Sequence, residues 1–250
     1  MLLRTGAVSG AMVPLSEEDH AVADERLRAI VELIEQEYET EIVPITVASR
    51  TLQFFRIRDL DEVVFDRLTA DENNLLELPF WGKIWEASIF LASYLAMQPM
   101  VPERQILEIG AGMGVSGLFA AACGHRITLS DHKEEVLRFT RANALLNDLA
   151  HVPIIRIDWR EPPPEERYDW IVGSEVVYHR PSYDALIQFL DQALKPQGTI
   201  ILAKRTDLPA SEFFVRLTQR FQFKKMDRVM RGRNEQYSFS LYAIKRKGEA

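Results

Sequence analysis

The sequence predicts an α/β fold: a doubly wound, mostly parallel, seven-stranded sheet with a C-terminal antiparallel hairpin and an N-terminal α+β extension. Three observations predict it. An apolar run of strand length at 106–109 turns through glycines into an apolar helix. Strands and helices then alternate regularly as far as residue 203. Finally, two strands at 221–230 and 237–244 are separated only by a turn-like segment at 231–235.

The composition is that of a globular protein. With 250 residues, 47% of them hydrophobic and 27% charged, the chain has room for one large domain or for one domain with an extension. We expect the extension at 1–79 and the principal domain at 80–250. The sequence contains no apolar run long enough to span a membrane, and its net charge of −7 argues against a nucleic-acid partner. The single cysteine, Cys123, excludes an internal disulfide and favours a cytoplasmic location.

The N-terminal extension is predicted to contain a helix, a strand pair and a second, short helix. Acidic residues after Ser16 are typical of a capped helix start, and apolar residues recur at helical spacing from Val22 to Tyr38. The segment 42–57 is rich in β-branched and aromatic residues, which favours strands, and 60–68 favours a helix. Because no chemical motif occurs here, we expect the extension to cap the core or to hold a substrate.

An apolar helix is predicted from Ile84 to Leu95, with Trp81 and Trp85 one helical turn apart at its start. Aromatic side chains at such positions usually belong to the core. The alternative is that Trp85 lines a ligand pocket, because the face of an indole ring binds flat bases and cations.

The glycine-rich turn after the strand at 106–109 carries two overlapping motifs. Such a turn presents backbone N–H groups and the positive end of a helix dipole to a ligand. Gly112-x-Gly114-x-x-Gly117 matches the dinucleotide fingerprint. Gly110-x-Gly112-x-Gly114, with an acid two residues before it, matches the pattern of methyltransferases that use S-adenosylmethionine (SAM).

The acidic residue, Glu108, favours the second motif. A carboxylate there would repel a pyrophosphate, whereas SAM carries an ammonium and a sulfonium group. A sheet that ends in a hairpin also differs from the second half of a dinucleotide fold. We therefore expect SAM as the cofactor and S-adenosylhomocysteine (SAH) as the product, with an NAD-binding oxidoreductase as a remote alternative. The expected ligands at the turn are Glu108, Gly110, Ala111, Gly112 and Gly114.

Acidic residues end the next two predicted strands, which are joined by an amphipathic helix. The strand at 126–130 ends at Asp131, which is placed to accept hydrogen bonds from ribose hydroxyls. The strand at 153–157 ends at Asp158 and Trp159, where a carboxylate and a ring suit the exocyclic amine and the face of adenine. The alternative for this pair is a surface acid beside a packed tryptophan.

The fourth strand, at 169–173, is predicted to lie beside the first, where doubly wound sheets bind ligands at their carboxyl ends. It continues as Ser174-Glu-Val-Val-Tyr178. Glu175 and Tyr178 are therefore the predicted catalytic residues, and Ser174 is a predicted cofactor contact. Two roles are open for Glu175: it orients the acceptor, or it holds the amino-acid end of the cofactor.

From Trp81 to Ile244 the sequence resembles the class I, seven-strand SAM-dependent methyltransferases. Within that class it resembles the protein-lysine methyltransferase-like family, through Trp85, the Glu-Ile-Gly-Ala-Gly-Met-Gly run that begins at Glu108, and the acid-x-x-Tyr motif that begins at Glu175. The resemblance implies an enzyme that methylates a protein side-chain nitrogen, such as that of lysine, without a metal. A small-molecule or RNA acceptor and a non-catalytic SAM-binding assembly module are the alternatives.

Overall fold

The computed structural model describes residues 17–70, 78–231 and 236–249. The predicted helix cap at Ser16 and most of the predicted turn at 231–235 lie outside these residues. The helices are α1 (Glu17–Glu35), α2 (Leu60–Ala70), α3 (Glu86–Ala96), α4 (Val115–Ala122), α5 (Glu134–Leu146), α6 (Tyr183–Ala193) and α7 (Ser211–Leu217). The strands are β1 (Thr40–Val47), β2 (Arg50–Ile57), β3 (Ile106–Ile109), β4 (Ile127–Asp131), β5 (Ile154–Arg156), β6 (Tyr168–Ser174), β7 (Leu194–Arg205), β8 (Phe221–Arg231) and β9 (Gln236–Arg246). Among the helices of the described ranges, none has the length and apolar character that a bilayer crossing requires.

The main sheet has seven strands in the order β5-β4-β3-β6-β7-β9-β8. Strand β3 pairs in parallel with both β4 and β6, and β6 pairs in parallel with β7. Strand β9 runs antiparallel between β7 and β8. The strand order therefore reverses at β3, and the carboxyl end of β3 is where such a sheet binds ligands. The predicted fold class, including the antiparallel C-terminal hairpin, is confirmed.

Element boundaries differ from the sequence prediction where local backbone geometry intervenes. Helix α3 begins at Glu86 rather than Ile84, because Trp85 is extended, with φ −77° and ψ 135°, and precedes the first helical turn. Strand β7 begins at Leu194 and contains a register shift against β6, so it is longer than the apolar run at 199–203 indicates. A bulge of this kind admits extra residues into a strand without ending it.

The N-terminal elements share one hydrophobic core with the helices that cover the main sheet. Phe54 of β2 is fully buried, and its ring stacks on that of Phe119 in α4 at a centroid distance of 6.2 Å. The neighbouring Phe55 packs against Phe139 of α5 at 6.3 Å. The helix and strand pair predicted for the extension are present, and they form an outer layer over α3, α4 and α5.

The edge of β2 that does not pair with β1 is held by two asparagine side chains, Asn143 in α5 and Asn147 just after its end. Asn147 accepts a hydrogen bond from the backbone N–H of Gln53 at 2.8 Å and donates to its carbonyl at 2.7 Å. Asn143 accepts from the N–H of Phe55 at 2.7 Å. These amides satisfy backbone groups that an unpaired strand edge would otherwise leave exposed.

Phe54→Ala tests whether the extension and the sheet unfold together. The substitution removes a fully buried ring from the shared core and is expected to lower the free energy of unfolding by about 3–5 kcal/mol. Urea unfolding followed by circular dichroism should show a single transition that moves as a whole. Ile42→Ala on the same hairpin is the control, since Ile42 is 53% exposed; its loss should be within about 0.5 kcal/mol. Two separate transitions would contradict the shared core.

Candidate cofactor and acceptor site

The turn between β3 and α4 follows the spacing of the methyltransferase pattern. Gly110, Gly112 and Gly114 have φ values of 59°, 54° and 81°, in the left-handed region that glycine adopts without a steric penalty. Gly117 lies inside α4, and its role is different. A β-carbon at this position would lie 2.3 Å from Oε2 of Glu108, so glycine is required for helix α4 to pack on strand β3.

Side chains from β4 and α5 fix the conformation of this turn. The N–H of Gly112 donates to Asp131 Oδ2 at 3.1 Å, and its carbonyl accepts from Thr140 Oγ1 at 2.7 Å. The amide of Asn143 donates to the carbonyl of Met113 at 3.0 Å. Sequence reasoning missed Thr140 and Asn143. Both residues are fully buried. Their place on the apolar face of an amphipathic helix is the sequence feature that could have identified them.

The short 3₁₀ turn Phe80–Gly82 lies beside the glycine turn. The carbonyl oxygen of Trp81 would be 3.4 Å from a β-carbon on Gly112, and apart from the adjoining residues no other described atom would lie within 4 Å, so this side of Gly112 has a single close neighbour. The Trp81 ring packs on Phe139 and against the edge of Tyr38, at centroid distances of 5.2 and 6.2 Å. The N-terminal extension therefore helps to place the wall of the crevice opposite the glycine turn.

Glu108 is only 1% exposed, and its carboxyl group faces the first turn of α4. Burial raises its pKa to about 8, and the charge of Asp131 adds to the increase, while Ser116 and the N–H of Gly117 oppose it. Attraction of SAM to Glu108 requires an ionised carboxylate, whereas burial favours the protonated form at neutral pH. Direct contact between Glu108 and a cofactor stays a prediction.

Asp131 is buried at the carboxyl end of β4, next to the glycine turn. Its Oδ2 accepts the Gly112 bond, and its Oδ1 accepts from the N–H of His132 at 2.8 Å and lies 3.1 Å from Nδ1 of that residue. A carboxylate has about four lone-pair positions, so these contacts leave acceptor capacity for ribose hydroxyls. The ribose contact remains a prediction.

Asp158 already has a strong partner in Arg160. The guanidinium Nε lies 2.9 Å from Oδ1 and the second nitrogen 2.6 Å from Oδ2, and the backbone N–H of Arg160 also donates to Oδ1 at 2.9 Å. These bonds lower the pKa of Asp158 to about 2, so the group stays ionised. Trp159 is half-buried and packs against the core on the other face of the sheet. An adenine contact by this pair stays a prediction.

Glu175 connects the carboxyl ends of β6 and β7. Its Oε1 accepts from the N–H of Arg205 at 2.6 Å, and its own N–H donates to the carbonyl of Ala203 at 2.9 Å. Its φ of 51° is strained for a residue with a side chain and costs on the order of 1–3 kcal/mol. Burial raises the pKa of Glu175, and the Arg205 N–H and the charge of Lys204 oppose this. Strain and desolvation together are typical of a functional position.

Ser174 and Tyr178 lie at and after the carboxyl end of β6, and Trp85 directly precedes α3. Tyr178 is 68% exposed. Trp85 donates from Nε1 to the carbonyl of Phe80 at 3.0 Å, and Lys83 Nζ lies 4.7 Å from its ring centroid, so the ring face accepts a cation. Ser174 is the half-buried last residue of β6.

The doubly wound sheet, its antiparallel hairpin and the glycine turn after β3 define a class I methyltransferase, the class whose cofactor is SAM. The sequence profile of the lysine methyltransferase family matches residues 67–221. The chain belongs to this lysine methyltransferase family. The resemblance found in the sequence is therefore confirmed, and so is the expectation of a SAM-dependent class of enzyme.

Relatives in this family differ in the acceptor that their names give. The histone-arginine methyltransferase METTL23 of Xenopus laevis is 29% identical over 148 residues, which cover 56% of this chain and 62% of that protein. The protein N-lysine methyltransferase METTL21A of Danio rerio is 29% identical over 152 residues, covering 57% and 69%. The histidine protein methyltransferase 1 homolog of Dictyostelium discoideum is 30% identical over 145 residues, covering 54% and 47%. The match spans about half to two thirds of these relatives' lengths.

Solved structures with low sequence identity share the fold. Ribosomal protein L11 methylase from Lactobacillus delbrueckii subsp. bulgaricus superposes with a TM-score of 0.51 at 22% identity, over 65% of this chain and 79% of that chain. The glycopeptide N-methyltransferase MtfA complexed with SAH gives a TM-score of 0.54 at 15% identity, over 62% and 88%.

Glu108→Gln is expected to reduce the pH dependence of stability. An unfolded glutamate has a pKa of about 4.3, so the folded chain retains a proton that the unfolded chain releases between that pH and about 8. The stability of the unaltered protein should therefore fall as the pH rises through this window. Glutamine keeps the shape and stays neutral, so urea unfolding at pH 5 to 8 should show a shallower slope for the variant. Equal slopes would show that Glu108 is ionised in the fold.

Proposed function

We propose that this protein transfers a methyl group from SAM to a side-chain nitrogen of a protein substrate, most simply that of lysine. The observation that carries the proposal is the glycine turn at the carboxyl end of β3, held open by Asp131 and Thr140, in a member of the lysine methyltransferase family. The single cysteine, Cys123, supports a cytoplasmic location, which we propose with it.

The residues around the turn fit SAM. Apart from the adjoining residues, the β-carbon position of Gly112 has one described neighbour within 4 Å, the carbonyl oxygen of Trp81, so a ligand can approach the backbone closely. Asp131 offers an acceptor for a ribose hydroxyl. Trp85 is a further proposed contact, and Lys83 lies over its ring. When bound, SAM supplies a methyl group on a positively charged sulfur.

Glu175 and Tyr178 are proposed to position the acceptor nitrogen. Methyl transfer is a direct displacement, so alignment of the acceptor and exclusion of water provide most of the rate enhancement. A lysine acceptor must first lose a proton, and a desolvated carboxylate with a raised pKa, such as Glu175, suits that task. The bond from Arg205 occupies Oε1 and holds the carboxylate in one orientation. The Tyr178 hydroxyl oxygen then accepts a hydrogen bond from an N–H of the neutral amine, which leaves the nitrogen lone pair free to attack the methyl group.

The activity can be tested with SAM that carries a labelled methyl group, incubated with the protein and a cell lysate. Label in the protein fraction, on lysine after hydrolysis, is the expected result. Label only in RNA or small molecules would overturn the choice of acceptor. SAH binding by calorimetry with no label in any fraction would identify a non-catalytic binding module. Gly112→Arg, which fills the open side of the turn, should abolish both SAH binding and labelling.

Glu175→Gln separates the two roles that the sequence left open for this residue. If the carboxylate acts on the acceptor, kcat should fall by about 10²-fold or more, while the Kd for SAH changes by less than about threefold. Asp207→Asn is the matched control, because Asp207 is an exposed carboxylate that also pairs with Arg205. It should leave kcat within about twofold. A large rise in Kd with Glu175→Gln would instead assign the carboxylate to the cofactor.

A further inference from the structure

We infer that the β1–β2 hairpin of the extension is a positioning element of the cofactor site, coupled to the glycine turn through the side chain of Asn143. The inference rests on the proposed function, since it assigns the turn to SAM. It gives the N-terminal hairpin, which carries no chemical motif, a defined part in cofactor binding.

The buried side-chain amide of Asn143 contacts both the hairpin and the glycine turn. Asn143 Oδ1 accepts from the N–H of Phe55 in β2 at 2.7 Å, and Nδ2 donates to the carbonyl of Met113 in the turn at 3.0 Å. Asn143 is fully buried, so neither bond can be replaced by water without opening the core. A shift of the hairpin edge therefore moves the Asn143 amide, and the amide moves the carbonyl of Met113.

Two neighbouring polar residues, Thr140 in α5 and Asn147 just after its end, each make one of these two links. Thr140, almost one turn earlier, bonds the carbonyl of Gly112 in the glycine turn. Asn147, one turn later, bonds both backbone groups of Gln53 in the hairpin. In the described part of the chain Thr140 has no hydrogen bond to the hairpin and Asn147 has none to the turn. Asn143 alone of the three connects both.

The hairpin also supports the opposite wall of the crevice. A β-carbon on Gly82 would lie 3.0 Å from Ile57 at the end of β2, so the 3₁₀ turn Phe80–Gly82 rests directly on the hairpin. Trp81 of that turn is the residue whose carbonyl faces Gly112. The hairpin thus supports the 3₁₀ turn directly and the glycine turn through Asn143. Because coupling free energies are reciprocal, a ligand bound in the crevice must stabilise the docked hairpin as much as the hairpin favours the ligand.

Variants of Thr140, Asn143 and Asn147 test the coupling by calorimetric titration with SAH. Asn143→Ala, which breaks both links, and Thr140→Val, which frees the turn alone, are each expected to raise the Kd for SAH by about fivefold or more. Asn147→Ala loosens the hairpin but leaves the turn's hydrogen bonds intact, and because the hairpin positions the turn through Asn143, it should raise Kd by about two- to fivefold. If either Asn147→Ala or Asn143→Ala binds SAH like the unaltered protein, the inference is wrong.

Hydrogen exchange of the unaltered protein provides a second test that needs no variant to fold. Saturating SAH should slow exchange of the Phe55 amide, which Asn143 holds, by a larger factor than that of the Gln53 amide, which Asn147 holds. Equal slowing at both amides, or none at Phe55, would overturn the coupling while leaving the cofactor assignment intact. Failure of the unaltered protein to bind SAH at all would reject the proposed function itself.

Discussion

Both backbone polar groups of Gly112 are held by buried side chains, and the geometry of the candidate site depends on this. Asp131 of β4 accepts its N–H, and Thr140 of α5 donates to its carbonyl. Glycine loses more conformational entropy on folding than any other residue, and this turn fixes three glycines in left-handed conformations. The two hydrogen bonds offset part of that cost and select one conformation. The open side of the turn is then a fixed surface, with β4 on one side and the carbonyl of Trp81 on the other.

The glycine turn, which is the proposed cofactor site, packs directly against the segment after β6, which carries the proposed acceptor residues. A β-carbon on Gly110 would lie 2.8 Å from Cγ1 of Val176, so the absence of a side chain at Gly110 lets the segment after β6 pack on the turn. Val176 follows Glu175, whose strained backbone is fixed by bonds to Ala203 and Arg205 of β7. The close packing of Val176 on Gly110 therefore helps to place Glu175, a candidate catalytic residue, next to the glycine turn. The positions of the turn and of Glu175 both depend on the parallel register of β3, β6 and β7.

The sequence predicted the features that depend on residue type at a fixed spacing. The left-handed dihedrals at Gly110 and Gly112 require glycine, and the apolar runs on either side define the strand and the helix, so the turn is visible in the sequence. Thr140 and Asn143 were missed because their partners in the turn lie about thirty positions away along the chain. The raised pKa of Glu108 was missed because it comes from burial beneath α4, which no local pattern shows.

A crystal structure of the protein with SAH tests most directly whether the glycine turn after β3 binds the cofactor. We expect the ligand on the open side of Gly112, with its ribose hydroxyls within hydrogen-bond distance of Asp131 and its homocysteine part at the carboxyl end of β3. No ligand at this position at saturating SAH, or a nicotinamide dinucleotide bound across the sheet in its place, would contradict the assignment.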